Sequence, residues 1–472
     1  MGSREVIDLQ GMRVTVAGLG VSGIPAAKVL HARGAHVTVV NDGDDARARE
    51  QAAELEALGV TVRLGDGATL PEGTELVVTA PGWKPDKPLF TAARAAGVEI
   101  WGDVELAWRL RGPDAAPWLA ITGTNGKTTT TQMLASILKA AGLRTAAVGN
   151  IGISVLDAVL GEEQYDVLAV ELSSYQLHWA PSLRAHSAAV LNLAPDHLDW
   201  HGSMEAYAAD KGRIYEGNRV ACVYNVADKA TEDLVREADV EEGCRAVGFT
   251  LGTPGPSQLG VVEGILVDRA FVEDRHKNAQ ELAEISDVNP PAPHNIANAL
   301  AAAALARAFG VPARAVRDGL RNFTPDAHRI AHVAAVDGVA YVDDSKATNT
   351  HAAEASLAAY ESIVWIAGGL AKGATFDELV TKSAKRLRGV VLIGQDRALI
   401  REALARHAPE VPVVDLDRTD TGAMLAAVQE ASRLAVAGDT VLLAPACASM
   451  DMFANYNKRG DAFAEAVREL GS

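Results

Sequence analysis

Between Ala120 and Thr131 the chain reads AITGTNGKTTTT, and that order leaves few options for the surrounding fold. An apolar run from Trp118 to Ile121 enters the turn Gly123-Thr124-Asn125-Gly126-Lys127-Thr128. Met133, Leu134, Ile137 and Leu138 then fall at helical spacing. In a strand, Gly-rich turn and helix, small residues let backbone N–H groups converge on a polyphosphate at the helix N-terminus. Lys127 is then placed to reach β- and γ-phosphates, and the Thr128 hydroxyl to hold Mg²⁺. The bland alternative is an ordinary strand-to-helix turn, but Lys and Thr follow Gly126 in the required order. A full GxxxxGK[ST] pattern needs Gly at position 121, where this chain has Ile121. The loop is a short GxxGKT form and need not belong to a GTPase, kinase or motor.

At 472 residues the chain is too long for one core and suggests about three domains. Strands and helices alternate throughout, so the fold class is α/β. Met12–Ala17 reads as a buried strand, Gly18-Leu19-Gly20-Val21-Ser22-Gly23 opens a helix ending near Gly34, and Val37–Val40 is the next strand. A first boundary falls at Trp101-Gly102-Asp103. The phosphate loop starts a second unit, with apolar strands at Leu168–Val170 and Ala188–Leu193. Leu251–Ser257 reads as surface loop, and Asn289–Pro293 breaks the chain before His294, which is expected to cap the next helix. A second boundary near Thr324-Pro325 precedes strands at Val339–Val342, Val364–Ala367, Val390–Ile393 and Val441–Leu443. The expected domains are therefore 1–102, 103–325 and 326–472.

A net charge of −17 argues against a nonspecific nucleic-acid surface, though a local loop still binds phosphate inside an acidic protein. Cys222, Cys244 and Cys447 have no CxxC spacing and cannot all pair, which fits a reducing cytoplasm. The N-terminus MGSREVIDLQG is polar and reads as no signal peptide. The Ala-rich run Ala297–Phe309 carries Asn298 and Arg307 and reads as a buried helix, not a membrane span.

Several loops after strands carry chemistry. The GxGxxG turn at Gly18, with Asp42 after the second strand, fits a dinucleotide, another diphosphate such as a nucleotide-sugar, or a tight turn with no ligand. A nucleotide-dependent oxidoreductase and a nucleotide-regulated binding protein are the corresponding alternatives to an enzyme built on the phosphate loop. Glu171 opens ELSSYQL at a strand end, where a carboxylate couples to a metal or simply caps a turn. Asp196-His197-Leu198-Asp199 offers a His beside carboxylates, although His prefers softer metals than Mg²⁺. Lys211, one helix further on, would repel a nearby cation unless it binds phosphate or is neutralised or inverted in charge. Asp343-Asp344-Ser345-Lys346-Ala347-Thr348-Asn349 packs acids, a base and hydroxyls into one loop. His328-Arg329 precedes it, with a guanidinium suited to a transferring phosphoryl group. Pro445 to Asp451 is suited to cradling a small carboxylate through backbone N–H groups and Ser449.

In this order GLGVSG, GTNGKT, GNIG, ELSSYQL, DHLDWHG, HNIANALAA, HR, DDSKATN and PACASMDMF resemble the Mur ligase family of peptidoglycan synthesis, from Gly18 to about Gly460. DSKATN with PACAS resembles the D-glutamate-adding branch. The DNPR-type motif of the diaminopimelate- or lysine-adding branches is missing, and Asn125 stands where the L-alanine-adding branch has His. That last branch, or a folylpolyglutamate synthase-like ligase, is the runner-up.

The resemblance implies a Rossmann-like N-terminal domain, a central P-loop ATPase-type domain with a parallel sheet, and a C-terminal Rossmann-like domain. It implies ATP held by Gly123, Thr124, Asn125, Gly126, Lys127, Thr128 and Thr129, with Asn295 at adenine and Arg329 and Asp344 at phosphate and ribose. It implies two Mg²⁺ sites, one at Thr128 and Glu171, the other at His197 and a CO₂-derived carbamate on Lys211. Lys127, Glu171, His197 and Lys211 are the catalytic set. UDP-N-acetylmuramoyl-L-alanine is expected at Val21, Ser22, Asp42 and Asn150. D-glutamate is expected at Lys346, Thr348, Lys372, Ser449, Met450 and Tyr456. Gly43 departs from relatives that carry Arg there. The substrates implied are small molecules, with no nucleic acid or membrane partner, and the protein is expected to be a cytoplasmic monomer.

Overall fold

A computed structural model describes residues 7–325, 327–418, 420 and 422–470. Most of the polar N-terminal stretch, and Asp326 at the start of the expected third domain, lie outside the described residues. By packing, the chain divides into two compact units, Met1–Pro291 with Asn295–Phe323, and Ala292–His294 with Thr324–Ser472.

Among the described residues the first unit contains two sheets. The first comprises β1 (Arg13–Ala17), β2 (His36–Asn41), β3 (Thr61–Leu64), β4 (Leu76–Thr79) and β5 (Glu99–Gly102), ordered β3-β2-β1-β4-β5. All its pairings are parallel. The order reverses between β1 and β4, which opens a crevice at the strand C-termini where ligands of such sheets bind.

The second sheet comprises β6 (Trp118–Thr122), β7 (Ala147–Gly149), β8 (Leu168–Glu171), β9 (Ser187–Val190), β10 (Ala221–Asn225), β11 (Arg245–Phe249), β12 (Gln258–Val262), β13 (Ile265–Asp268) and β14 (Gln280–Glu284). Its order is β14-β13-β12-β11-β10-β9-β6-β8-β7. Only β12-β13-β14 is antiparallel. Third from one edge, β6 lies between β8 and β9, with Ile121 opposite Glu171 and Thr122 opposite Val190. The loops after all three strands therefore share one edge.

One apolar cluster runs from Val16 and Val39 in the first sheet through Trp108 and Trp118 to Val170 and Val190 in the second. Trp108 and Trp118 meet edge to face at 5.0 Å. This continuity explains why the first two expected domains pack as one unit. On the other face of the second sheet, Leu119, Ile121, Leu134 and Ile137 meet Ala299–Ala306. Those alanines belong to the helix Pro293–Ala308, which starts and ends slightly earlier than the expected Ala297–Phe309. Pro293 occupies its first position, as its fixed φ favours, so His294 lies inside the first turn rather than capping it. The expected strand Ala188–Leu193 stops at Val190, because Leu191 to Ala194 turn toward the phosphate loop.

The second unit holds β15 (Ala331–Val336), β16 (Val339–Asp343), β17 (Ile363–Gly368), β18 (Leu387–Ile393), β19 (Val413–Asp415) and β20 (Thr440–Leu443), ordered β15-β16-β20-β17-β18-β19. Trp365 and Leu442 face one apolar layer, and Ile366 and Leu443 the other. Both faces are covered, as a mostly parallel sheet requires.

Candidate functional site

The five residues of β6 are all buried, and the chain leaves it through Gly123 to Gly126. Gly126 caps the helix Lys127–Ala140 in a left-handed conformation, φ 81°, and no acid lies in the first helical turn. A Cβ on Gly126 would also meet Asn298 Oδ1 at 2.4 Å, so glycine is required there twice over. The result is a backbone cradle at a helix N-terminus, suited to an anion. Lys127 Nζ donates to the Gly123 and Thr124 carbonyls at 3.0 and 2.8 Å. Thr128 and Thr129 are buried in the first turn.

Three further groups from the sequence reading converge here. Lys211, near the end of the helix Met204–Gly212, is 2% exposed, and its Nζ donates to Gly123 O at 2.9 Å and Thr122 Oγ1 at 3.3 Å. Lys127 and Lys211 thus share one carbonyl. Among the described residues no carboxylate forms a salt bridge with Lys211. Burial pushes its ammonium well below the ordinary lysine range, and Lys127 adds to that shift. Glu171, at the end of β8, is 1% exposed; its Oε1 accepts from Asn150 Nδ2 at 2.9 Å, while Oε2 is buried with no hydrogen-bond partner among the described residues. His197 sits at φ 54° as the N-cap of a one-turn helix, Leu198–His201. Its ring contacts Tyr175 at 4.9 Å. Partial burial lowers its pKa, Asp196 opposes this, and Lys127 and Lys211 reinforce it.

Sequence reasoning missed the residues that hold this arrangement. Asn192 accepts from Asn125 N at 2.9 Å and donates to Asn125 O at 3.1 Å. Tyr207 OH lies 3.0 Å from Thr124 Oγ1, which accepts from Ala194 N. Asn295 Oδ1 accepts from Asn298 Nδ2 at 3.3 Å, which ties the expected adenine contact to the residue over Gly126. Asp210 lies 2.9 Å from both His178 Nδ1 and His201 Nδ1. Burial would raise the Asp210 carboxyl, but the bonds to His178 and His201 prevail and bring its pKa down to about 2. The adjacent Asn-Leu-Ala-Pro and His-Gly letters were the only available signals, and neither shows a partner.

The first-sheet residues form a separate cluster. A Cβ on Gly23 would lie 1.9 Å from Gly18 O, so the last glycine of GLGVSG permits close helix–strand packing. Leu19 N donates to Asn41 Oδ1 at 3.0 Å. Val21 is 88% exposed, and Ser22 donates to Asp103. Asp42 pairs with Lys87, whose Nζ lies 4.2 Å over the Trp83 ring.

In the second unit β16, β20 and β17 are neighbours, so DDSKATN, PACASMD and Gly369–Lys372 lie side by side at one sheet edge. Leu370 and Ala448 exchange backbone hydrogen bonds at 2.9 Å, and Ala446 N donates to Ala347 O. Lys346 Nζ donates to Tyr456 OH at 3.0 Å. Lys346, Thr348, Lys372, Ser449, Met450 and Tyr456 therefore belong to one stitched group of loops and the helix start beside it. Arg459, 1% exposed, binds Ser345 and the Cys447 carbonyl and locks two of these loops together. Asp344 accepts from Ser356 and from Ile330 N; burial pushes its pKa up to about 6, ahead of lowering by Ser356 and Arg329. Arg329 Nε is buried without a hydrogen-bond partner among the described residues.

Three family models match successive segments: the MurD-like N-terminal domain of Mur ligases over 12–102, the Mur ligase middle domain over 121–306, and the Mur ligase glutamate ligase domain over 328–447. A UDP-N-acetylmuramoylalanine–D-glutamate ligase of Streptomyces avermitilis is 89% identical, covering 98% of this chain and 99% of its own. The chain belongs to the Mur ligase family. A Thermobifida fusca protein of the same description is 60% identical over 98% of this Mur ligase and 100% of its own length. A pseudomurein peptide ligase type C of Methanothermus fervidus superposes with a TM-score of 0.60 at 17% identity, covering 98% of this chain and 100% of its own, which shows a shared fold.

The matched segments of this Mur ligase follow its three sheets rather than its two packing units. Among its described residues no group of three or more His, Cys, Asp and Glu side chains is assembled for a metal. Mg²⁺ needs none, because it usually keeps waters and takes one or two carboxylates plus phosphate oxygens. The partnerless Glu171 Oε2 is an oxygen of that kind. Among the described residues no helix is long and apolar enough to cross a membrane.

Proposed function

We propose that this Mur ligase joins D-glutamate to UDP-N-acetylmuramoyl-L-alanine, driven by ATP, in peptidoglycan precursor synthesis. The observation that carries this reading is the convergence of Lys127, Lys211 and the partnerless Glu171 oxygen on the GTNGKT loop. The relatives' printed descriptions support D-glutamate as the amine.

A carboxylate is a poor electrophile. Its oxygen attacks the γ-phosphorus, ADP leaves, and an acyl phosphate forms. Lys127 and the loop amides hold the phosphates and offset the repulsion between two anions. The D-glutamate amine loses a proton, attacks the carbonyl carbon, and the tetrahedral intermediate expels phosphate to leave an amide. Thr128 and Glu171 would hold one Mg²⁺, and His197 with a modified Lys211 the other. Bound there, Mg²⁺ supplies charge neutralisation at the transferring phosphoryl group.

Lys211 reacts with CO₂ as the uncharged amine: the C–N bond forms, a proton leaves, and an anionic carbamate results. Burial of Lys211, with no salt bridge to a carboxylate among the described residues, favours that uncharged form. The inverted charge removes the repulsion an ammonium would exert on a cation. Asn295 contacts adenine, and Arg329 and Asp344 contact phosphate and ribose. Asn150, Val21, Ser22 and Asp42 serve the UDP-muramoyl substrate. Lys346, Thr348, Lys372, Ser449, Met450 and Tyr456 receive D-glutamate. Residues 1–102, 103–325 and 326–472 act as three substrate-binding domains of a cytoplasmic monomer. Phosphate release, with UDP-muramoyl acceptors crossed against amino acids, tests the reading. D-glutamate with UDP-N-acetylmuramoyl-L-alanine should give turnover; release with L-alanine and none with D-glutamate would overturn it.

A further inference from the structure

The helix that begins after His197 is a single turn, Leu198–His201, and His197 itself stands at φ 54°. A one-turn helix is not stable by itself, and a non-glycine residue in the left-handed region persists only where its surroundings fix it. Hydrogen bonds from the backbone and side chain of His201 fix this one. His201 N donates to His197 O at 3.1 Å, so the two residues bracket the turn. The His201 side chain is fully buried, with Nδ1 2.9 Å from Asp210 Oδ2 and Nε2 2.9 Å from Ser174 Oγ. An ionised carboxylate only accepts, so Nδ1 carries the proton and donates.

Each partner stands beside another member of the proposed metal site. Asp210 immediately precedes Lys211, and Ser174 opens the short helix three residues after Glu171. The far end of that short helix is held by the same carboxylate, with His178 Nδ1 2.9 Å from Asp210. One buried imidazole and one buried carboxylate thus tie together the three segments that carry Glu171, His197 and Lys211. Neither is among the residues assigned to phosphate or metal.

We infer that His201 and Asp210 are positioning residues that set the relative placement of Glu171, His197 and Lys211 for divalent-cation binding. The inference rests on the proposed reading of those three as cation ligands. Outer partners of this kind typically change metal affinity 10–100-fold when removed.

The test is Mn²⁺ binding by electron paramagnetic resonance on the full-length chain, with a non-hydrolysable ATP analogue and bicarbonate. Asp210→Asn, His201→Ala, Ser174→Ala and His197→Ala are compared with the parent, and folding is checked by circular dichroism. Ser174→Ala removes a single hydroxyl and keeps the test alive if a buried-charge variant does not fold. Asp210→Asn and Ser174→Ala should each weaken Mn²⁺ at least about 10-fold and raise the apparent KM for Mg²⁺ while leaving KM for D-glutamate near the parent value. A lowered melting temperature with unchanged Mn²⁺ affinity would mark a merely structural network and overturn the inference. Unchanged affinity in His197→Ala would instead remove the reading of the metal site, and this inference with it.

Discussion

At Lys211 burial and charge conflict most sharply, and two outcomes separate the uses of that conflict. If Lys211 is a carbamate, Lys211→Arg should be about as inactive as Lys211→Ala, since Arg keeps a cation but cannot form the stable lysine carbamate. Acetate or formate should partly restore Lys211→Ala by returning an oxygen ligand of the type Mg²⁺ prefers. Most activity retained in Lys211→Arg would refute the modification. For Lys127→Ala the expected loss is on the order of 10²–10³ in kcat, as for removing a preorganised charge donor. Near-normal turnover with normal circular dichroism would sink the phosphate-loop assignment. Asp344 makes a pH prediction. Its folded pKa is raised to about 6 by burial, above an unfolded value of about 3.9. The folded state therefore holds the extra proton, and stability present below about pH 3.9 is lost as pH rises through about 6. Asp344→Asn should remove a pH dependence on the order of 2–3 kcal/mol from the third sheet, read by amide hydrogen exchange at pH 4 and pH 7. Equal pH dependence in parent and variant would contradict this. Residues within contiguous motifs were legible in the sequence. Asn192, Tyr207, Asn298 and Asp210 were not, because their partners lie far away in the chain or depend on which helix faces which.

At the scale of elements, the central strands of each sheet were readable because burial on both faces leaves continuous apolar runs, as at Trp118–Ile121 and Val441–Leu443. The antiparallel extension β12–β14 was not. Its strands are half-buried and follow a Gly/Pro-rich stretch, so neither a clean alternation nor an apolar run marks them. The side-by-side order β16-β20-β17 was equally invisible, since it joins loops about 75 to 100 positions apart through pairings the local sequence does not encode. That order supports one pocket from Lys346, Thr348, Lys372 and Ser449, richer in positive charge than a neutral amino acid needs. Lys372→Ala should accordingly raise KM for D-glutamate more than KM for ATP, measured by varying each at saturating levels of the other. Equal effects on both would detach Lys372 from the amino-acid pocket.

For the whole molecule, three sheets were legible from repeated strand–loop–helix alternation. The packing of the first two into one unit was not, because it depends on an apolar cluster that joins Val16, Val39 and Trp101 to Trp118, Val170 and Val190 across the expected boundary. Each sheet presents its loops at strand C-termini, and the proposed chemistry assigns one reactant to each: UDP-muramoyl substrate, ATP and D-glutamate. Separate domains would suit a reaction whose acyl phosphate water hydrolyses, since domain closure in general excludes solvent. The most direct test is to supply UDP-N-acetylmuramoyl-L-alanine with both oxygens of its carboxylate oxygen-18 labelled, plus ATP and D-glutamate, and weigh the released phosphate. An acyl-phosphate ligase transfers one labelled oxygen to phosphate as the amide forms. Unlabelled phosphate, or ATP turnover that needs no D-glutamate, would contradict the account.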